Sequence, residues 1–241
     1  MSYYNKSTEI QIKALKEVWY LCSTNRFKYF CEDKKEHDLI EKAIQTAKPN
    51  IKENDFPDFL IDDYGFIEHF EVSSSPNTRK GYQYKKNSAL ILKDADKERQ
   101  KYKNDESYAI TYEIPHSGDS HDNLVKSFKS KWNKHIQSLE KSKTKYYMRI
   151  FLIDYVGEDL IYGEEKEIYK ISKDLTLLRF MEKYKEIIDC VIFKTRFYVE
   201  IISLCAIHNI IKNQKAIDFE PLNGGEINIG IAETFKPIKL D

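Results

Sequence analysis

Two acidic residues near the middle of the N-terminal half are the side chains best placed for chemistry. They lie in the stretch 56–73, whose apolar residues and Tyr64–Gly65 step predict a β-hairpin. With the tight turn at Tyr64–Gly65, Asp58 lies directly opposite Glu71. Side chains opposed in this way have Cβ atoms about 4.5–5.5 Å apart, and like charges there are destabilising. We therefore expect a shared proton, a nearby Lys or Arg, or a divalent cation such as Mg²⁺ to offset the repulsion.

The alternation of side chains along a strand assigns both acids to one face of the hairpin. That face carries Asp58, Leu60, Asp62, Ile67, His69, Glu71 and Ser73. The opposite face is mainly apolar and is interrupted by Glu68. We expect the apolar face to pack on the core and the polar face to form a site. His69 contacts either substrate or other residues of the sheet, and the sequence leaves both alternatives open.

The hairpin also carries a family resemblance. A Pro-Asp pair that opens a strand, followed by a short hairpin and an acid near the end of the next strand, resembles the motif of the PD-(D/E)XK nuclease superfamily, which includes many restriction endonucleases. The matching residues are Pro57–Asp58 and Glu71–Val72–Ser73. The resemblance implies that Asp58 and Glu71 bind Mg²⁺ or Mn²⁺, which activates water and neutralises charge on a phosphodiester. It further implies an α/β fold with a restriction endonuclease-like core, in which helices flank a mixed central sheet.

One position departs from the family motif. Ser73 stands where the family has a Lys, and a hydroxyl carries no charge. Members of the superfamily can place this Lys on another element, so Lys80 and Lys85, which follow the hairpin, are candidates to replace it. Three interpretations stay open: a Mg²⁺-dependent deoxyribonuclease such as a restriction endonuclease, an inactive nuclease-fold protein that binds nucleic acid or another protein, and an unrelated α/β protein whose hairpin imitates the motif.

The segments before and after the hairpin have apolar residues at helical spacing. Two amphipathic helices are predicted at about 8–22 and 33–47, and a third at about 119–140 leads into an apolar strand at 148–156. The resemblance implies a further acid from the second helix, Glu36 or Glu41, although solvated surface charge explains these acids more simply. The third helix is rich in lysine, and Lys126, Lys129 and Lys134 are candidates to contact phosphates. An ordinary solvated face is the alternative for them.

Length and composition predict one nuclease-like domain over residues 1–241. Its parts are the N-terminal helices at about 8–47, the hairpin at 57–74, and a C-terminal extension at about 190–241. The 39 basic and 39 acidic residues balance, so attraction to DNA, the expected partner, must be local. Apolar runs are too short to span a bilayer, so we expect a cytoplasmic protein without membrane contact. Homodimer formation is left open.

Several other classes lack their signatures in this sequence. The four cysteines form no Cys-x-x-Cys pair, which argues against a structural zinc site or a disulfide framework. No glycine-rich phosphate loop is present, which argues against an NTPase or a Rossmann oxidoreductase. The Gly-x-Ser-x-Gly elbow of acyl-transfer enzymes is also missing. Phosphodiester chemistry is therefore the reaction class that the sequence favours.

Overall fold

The central element of the computed structural model is a mixed β-sheet of seven strands. The structure describes residues 6–50, 56–62, 64–76, 109–113, 119–142, 144–156, 160–221 and 226–230. Its helices are α1 (Lys6–Ser23), α2 (Lys34–Thr46), α3 (His121–Lys141), α4 (Leu175–Glu182) and α5 (Ile207–Lys212). Its strands are β1 (Phe27–Phe30), β2 (Lys48–Pro49), β3 (Phe59–Ile61), β4 (Gly65–Val72), β5 (Ala109–Glu113), β6 (Met148–Tyr155), β7 (Leu160–Tyr162), β8 (Glu167–Ile168), β9 (Cys190–Lys194), β10 (Val199–Ser203), β11 (Phe219–Pro221) and β12 (Glu226–Gly230).

Three parallel strands form the middle of this sheet. The strand order is β1-β10-β9-β6-β4-β3-β2, and β4, β6 and β9 run parallel to one another. The hairpin partners β3 and β10 lie antiparallel on either side. The remaining strands form a three-stranded sheet of β11, β7 and β8 and a pair of β12 with β5. The predicted α/β class with a mixed central sheet flanked by helices is confirmed.

Helices cover both faces of the sheet, so the middle strands are apolar on both sides. On one face, α1 and α2 pack Val18, Ile40 and Ile44 against residues such as Ile67 and Ile150. On the other face, α3 and α4 bury a second cluster that includes Phe128, Trp132, Phe151 and Leu178. The expectation of one core face and one site face on the hairpin is therefore wrong, because β4 is an internal strand and not an edge.

The hairpin register differs from the predicted one. Phe59 pairs with Ile67 and Ile61 with Gly65, so Asp58 at the end of this ladder neighbours Glu68 and not Glu71. The predicted turn at Tyr64–Gly65 is wrong as well, because Gly65 already belongs to β4, where it pairs with Ile61. Asp62 adopts φ +44°, a left-handed conformation that Asp tolerates in turns, and the amide of Tyr64 donates to the carbonyl of Ile61 at 3.2 Å.

Gly65 explains why the sequence misplaced the turn. A Cβ at this position would lie 2.7 Å from the carbonyl oxygen of Met148 and 2.8 Å from its Cβ. Glycine is therefore needed here for the close approach of β6 to β4, and not for a turn. The change of register also changes which side chains share a face, because strand side chains alternate. Phe59 and Ile61 consequently lie on the α1 face together with Ile67.

The segment predicted as a C-terminal extension from about residue 190 contributes to the sheet. β9 lies beside β6 in its centre, and β10 lies next to β9. Residues 190–203 thus belong to the main core, as the complete burial of Val191, Ile192 and Ile202 indicates. Among the helices that the structure describes, none combines the length and apolarity required to cross a membrane.

Candidate functional site

Asp58 belongs to a group of polar side chains between β3, β4 and α3. We call Asp58, Glu68 and His135 the edge cluster. The amide of Asp58 donates to Glu68 Oε2 at 3.1 Å, and His135 Nδ1 lies 2.6 Å from Glu68 Oε1. The carboxylate of Asp58 accepts from Gln11 Nε2 of α1 and from the amide of His69 at 2.7 Å. Every carboxylate oxygen of the edge cluster thus has a partner within the protein.

Asp58 of the edge cluster has a pKa well above the usual value of an aspartic acid. Desolvation raises the pKa of Asp58 to about 7, and the adjacent Glu68 carboxylate adds to this rise, whereas the amide of His69 opposes it. The protonated form of Asp58 is therefore well populated near neutral pH. The carboxylate that raises the pKa of Asp58 is therefore Glu68, and not the predicted partner Glu71.

Glu71 belongs to a different group, at the carboxyl ends of the three parallel strands. Glu71 of β4 is in register with Asp154 of β6, and Asp154 is in register with Lys194 of β9. Neighbouring strands lie about 4.8 Å apart, so these three residues form one line across the sheet. We call them the cavity row. Carboxyl ends of parallel strands are a common place for ligand sites in α/β proteins.

The cavity row opens into a pocket between the sheet and α1. The pocket has a volume of about 630 Å³, a size typical of small-ligand sites. Besides the row, its lining includes Glu17 and the cations Lys13, Arg26 and Arg196. Lys13, Arg26 and Arg196 are exposed, and Glu71 is the exposed member of the row. The pocket therefore combines carboxylates with cations that are accessible to a ligand.

Ion pairs organise the floor of this pocket. Lys194 Nζ lies 2.8 Å from Asp154 Oδ1 and 2.8 Å from Glu17 Oε2, and the Lys194 side chain is only 5% exposed. Burial lowers the pKa of Lys194, but the two carboxylates outweigh burial, so its pKa is raised and its charge is kept. Burial raises the pKa of Asp154, while Lys194 opposes the rise. Asp154 Oδ1 is thereby held by Lys194.

His69 lies beside the cavity row with an unmatched nitrogen. Its side chain is 5% exposed, and Asp154 Oδ2 is 4.0 Å from its Nε2. No group of the described residues forms a hydrogen bond with that nitrogen. Burial lowers the pKa of His69 to about 4, and the charges of Lys194 and His135 contribute to the decrease. The ring is therefore neutral at neutral pH. The structure shows the His69 ring buried in the sheet beside Asp154, one of the residues that line the pocket.

Among the remaining predicted site residues, the four that the structure describes, Ser73 and three lysines of α3, do not line the pocket. The amide of Ser73 donates to Ser127 Oγ at 3.2 Å, and the hydroxyl of Ser73 accepts from the amide of Ser75 at 3.1 Å, so Ser73 organises a turn after β4. Lys80 and Lys85 lie outside the described residues. The predicted phosphate contacts Lys126, Lys129 and Lys134 lie on α3, which covers the face of the sheet opposite α1.

Lysines on α3 consequently do not flank the pocket. Lys126 and Lys134 are exposed, whereas Lys129 is half-buried with its Nζ 5.6 Å from the ring centroid of Phe180. That contact is a cation–π interaction, which holds the ammonium against the protein. The basic stripe is therefore a separate surface from the cavity row.

The acids on α2 have local roles. Glu36 accepts from the amide of Glu32 at 2.7 Å and from the hydroxyl of Ser203. Glu41 belongs with His37 and Asp38 to a group whose ligand atoms all lie within 4.8 Å of one another, the one group of three such donors found in the described part of the chain. Two of its members are exposed. The donor atoms of His69, Glu71 and Asp154 are more widely spaced, so binding of one ion by all three requires rotation of the exposed Glu71.

Sequence reasoning found Glu71 but missed Asp154, Lys194, Arg26 and Arg196. A signal for two of them was present, because Asp154 and Lys194 each occur near the end of a run of apolar residues that predicts a buried strand. A charged residue at that place lies at the carboxyl end of the strand. The arginines carried no signal, since they lie in loops.

No family model, no curated protein and no solved structure matches this chain. The function must therefore be inferred from the chemistry of the cavity row and from the order of the elements that position it.

Proposed function

We propose that this chain is a divalent-metal-dependent nuclease that hydrolyses phosphodiester bonds in DNA. The observation that carries the proposal is the cavity row, in which two carboxylates and a lysine from three adjacent parallel strands line a pocket with arginines. Hydrolysis of a phosphodiester requires the neutralisation of negative charge and an activated water, and carboxylates with cations are the groups that supply both.

The order of elements supports a restriction endonuclease-like core. α2 precedes the three antiparallel strands β2, β3 and β4, and α3 then leads into β6, which runs parallel to β4. The PD-(D/E)XK resemblance of Pro57–Asp58 implies a helix and then a strand after the hairpin. In this proposal the family's site is displaced along β4, from the predicted Asp58–Glu71 pair to Glu71 and Asp154.

The residues of the pocket fit a divalent cation by their donor chemistry. Glu71 and Asp154 line the pocket and supply carboxylate oxygens, which Mg²⁺ and Mn²⁺ prefer. His69 lies behind them, and its buried Nε2, 4.0 Å from Asp154 Oδ2, has no hydrogen-bond partner among the described residues. When bound, such an ion would neutralise charge on the phosphodiester and acidify a water. The edge cluster fits a cation less well, because all four of its carboxylate oxygens already accept hydrogen bonds.

The other charged groups of the pocket have distinct roles in this proposal. Lys194 fixes the orientation of Asp154 through Oδ1 and supplies the buried positive charge that the motif position Ser73 lacks. Arg26 and Arg196 are exposed at the pocket, where a guanidinium can pair with a phosphate through two hydrogen bonds. These cations give the local positive charge that a chain without net charge needs for DNA.

The test is cleavage of circular and linear DNA by the purified chain in Mn²⁺, in Mg²⁺ and in EDTA. We expect metal-dependent cleavage that Asp154→Asn abolishes. The matched control is Asp38→Asn, which alters the exposed group on α2 and should leave the rate unchanged. Cleavage that persists in EDTA or in Asp154→Asn would exclude the proposed site.

A second candidate function is DNA binding without cleavage. It is favoured by Lys194, whose ammonium already pairs with both Asp154 and Glu17, so the row can serve as a structural ion pair. This alternative expects no cleavage under any metal condition but salt-dependent DNA binding. The double variant Arg26→Gln/Arg196→Gln should then reduce the slope of log affinity against log salt by about two. Lys126→Gln/Lys134→Gln on α3 is the control.

A further inference from the structure

His69 Nε2 is a buried polar atom that finds no hydrogen-bond partner within the part of the chain that the structure describes. A buried polar group without a hydrogen bond lowers the stability of the folded state, so a native protein rarely retains one without a role. His69 and Glu71 are two residues apart on β4 and therefore project to the same face of the sheet. The nitrogen thus lies beside the cavity row, and not in the apolar layer under α3.

The gap between His69 and Asp154 has a defined size. Nε2 and Oδ2 are 4.0 Å apart, which is too long for a direct hydrogen bond but short enough for one atom to contact both. Asp154 Oδ1 is occupied by Lys194 at 2.8 Å, so Oδ2 is the oxygen that faces the imidazole. Two potential ligands of different chemistry, a nitrogen and an oxygen, are therefore close enough to coordinate one metal ion.

We propose that His69 Nε2 and Asp154 Oδ2 bind the same divalent cation, with the exposed Glu71 as a further ligand, and that the imidazole makes this site prefer Mn²⁺ to Mg²⁺. The proposal rests on the proposed function only in placing the metal at the cavity row. Mg²⁺ requires hard oxygen ligands, whereas imidazole suits transition-metal ions and their affinity for nitrogen-containing sites is higher. A bridging water between the two atoms is the competing occupant.

The test is a titration of the purified full chain with Mn²⁺, followed by electron paramagnetic resonance, with Mg²⁺ as competitor. We expect Mn²⁺ to bind at least about tenfold more tightly than Mg²⁺. His69→Phe keeps the volume of the ring but removes Nε2, and should weaken Mn²⁺ binding at least about tenfold while changing Mg²⁺ binding less than threefold. His37→Phe is the matched control, because it disables the exposed donor group on α2.

A spectroscopic readout keeps the test independent of whether His69→Phe folds. Pulsed electron paramagnetic resonance of bound Mn²⁺ should show coupling to a ring nitrogen in the wild type, and ¹⁵N-histidine labelling should change that coupling. His37→Phe should retain the coupling. A wild type without nitrogen coupling, or with equal affinity for Mn²⁺ and Mg²⁺, would overturn the proposal and leave a bridging water as the occupant.

The outcomes also separate this inference from the proposed function. Nitrogen-coupled Mn²⁺ without DNA cleavage in any metal supports the metal site and removes the nuclease. Metal-dependent cleavage without nitrogen coupling, which depends on Asp154, supports the nuclease and removes His69 as a ligand.

Discussion

The edge cluster and the cavity row contain similar residues but differ in how many of their polar atoms are satisfied. In the edge cluster, Asp58 and Glu68 accept hydrogen bonds at all four oxygens, from Gln11, His135 and two backbone amides. In the cavity row, Asp154 Oδ2 lies 4.0 Å from Nε2 of the neighbouring residue His69, and Glu71 is exposed. The carboxylates of the edge cluster therefore have no oxygen left for a ligand, whereas the cavity row retains groups that can bind one.

This difference separates a structural role from a functional one. A saturated carboxylate pair, in which Glu68 is buried and Asp58 half-buried, stabilises one arrangement of β3, β4 and α3. Removal of one partner therefore lowers stability. An unsaturated row beside a cavity contributes less to folding but offers ligands and charge to a molecule that enters. The Pro57–Asp58 motif lies in the saturated cluster, so the residue that first suggested the nuclease is not the residue that we expect to bind metal.

The largest expected difference between the two regions is in catalysis. Glu71→Gln should reduce metal-dependent DNA cleavage roughly 1,000-fold, because it removes a negatively charged ligand worth several kcal/mol in the transition state. Glu68→Gln should leave the rate within about fivefold once the rate is normalised to the folded fraction measured by circular dichroism. Equal losses in both variants would contradict the separation of roles.

For stability we expect the opposite order, with the larger loss in the edge cluster and the smaller loss in the cavity row. Glu68→Ala leaves the amide of Asp58 and the ring of His135 without a partner in a buried place, and should lower the free energy of unfolding by about 3 kcal/mol. Glu71→Ala removes an exposed side chain and should change it by less than about 0.5 kcal/mol. Urea denaturation in EDTA measures both values. A Glu71 variant that is as unstable as the Glu68 variant would argue against an open site.

Gly65 sets the register that separates the two regions. Gly65→Ala places a Cβ 2.7 Å from the carbonyl oxygen of Met148, so β4 and β6 must move apart, and we expect a loss of about 2 kcal/mol. Gly163→Ala is a useful contrast, because no heavy atom lies within 4 Å of its added Cβ, although φ is +72° there. If Gly65→Ala is as stable as the wild type, close strand approach does not explain the register.

The remaining prediction is a pH dependence of stability that belongs to the edge cluster. The pKa of Asp58 is raised to about 7, so the folded state binds this proton more tightly than the unfolded state. Its contribution to stability is therefore present at low pH and is lost as the pH rises from about 4 through about 7. Urea denaturation in EDTA should show a decrease of more than about 1 kcal/mol across this range. Asp58→Asn should remove that decrease, and an unchanged slope in the variant would assign it to another group.

The helices α1, α2 and α3 and the strand β6 could be predicted from the sequence because their apolar residues follow a recognisable pattern. The helix predicted at about 119–140, for example, is α3 with Phe128, Trp132 and Ile136 buried. The hairpin register was wrong because Gly65 was interpreted as a turn residue, when its role depends on Met148, which is far away in sequence. The local sequence pattern around Gly65 therefore does not predict its contact with Met148.

The cavity row was beyond sequence reasoning for a related reason. Asp154 and Lys194 meet only because β6 and β9 pair in parallel. Parallel strands are joined by long connections, so the sequence of either segment alone does not predict that they pair. Glu71 was identified, but its partner was sought across the hairpin, where a short connection makes pairing predictable. The family motif directed attention to Asp58 for the same reason.

The most direct test of the central claim is a crystal of the full chain soaked in millimolar Mn²⁺, with anomalous scattering recorded to locate the ion. We predict one anomalous peak in the pocket beside α1, within coordination distance of Asp154 and Glu71. A peak between Asp58 and Glu68, or no peak at the cavity row, would contradict the account.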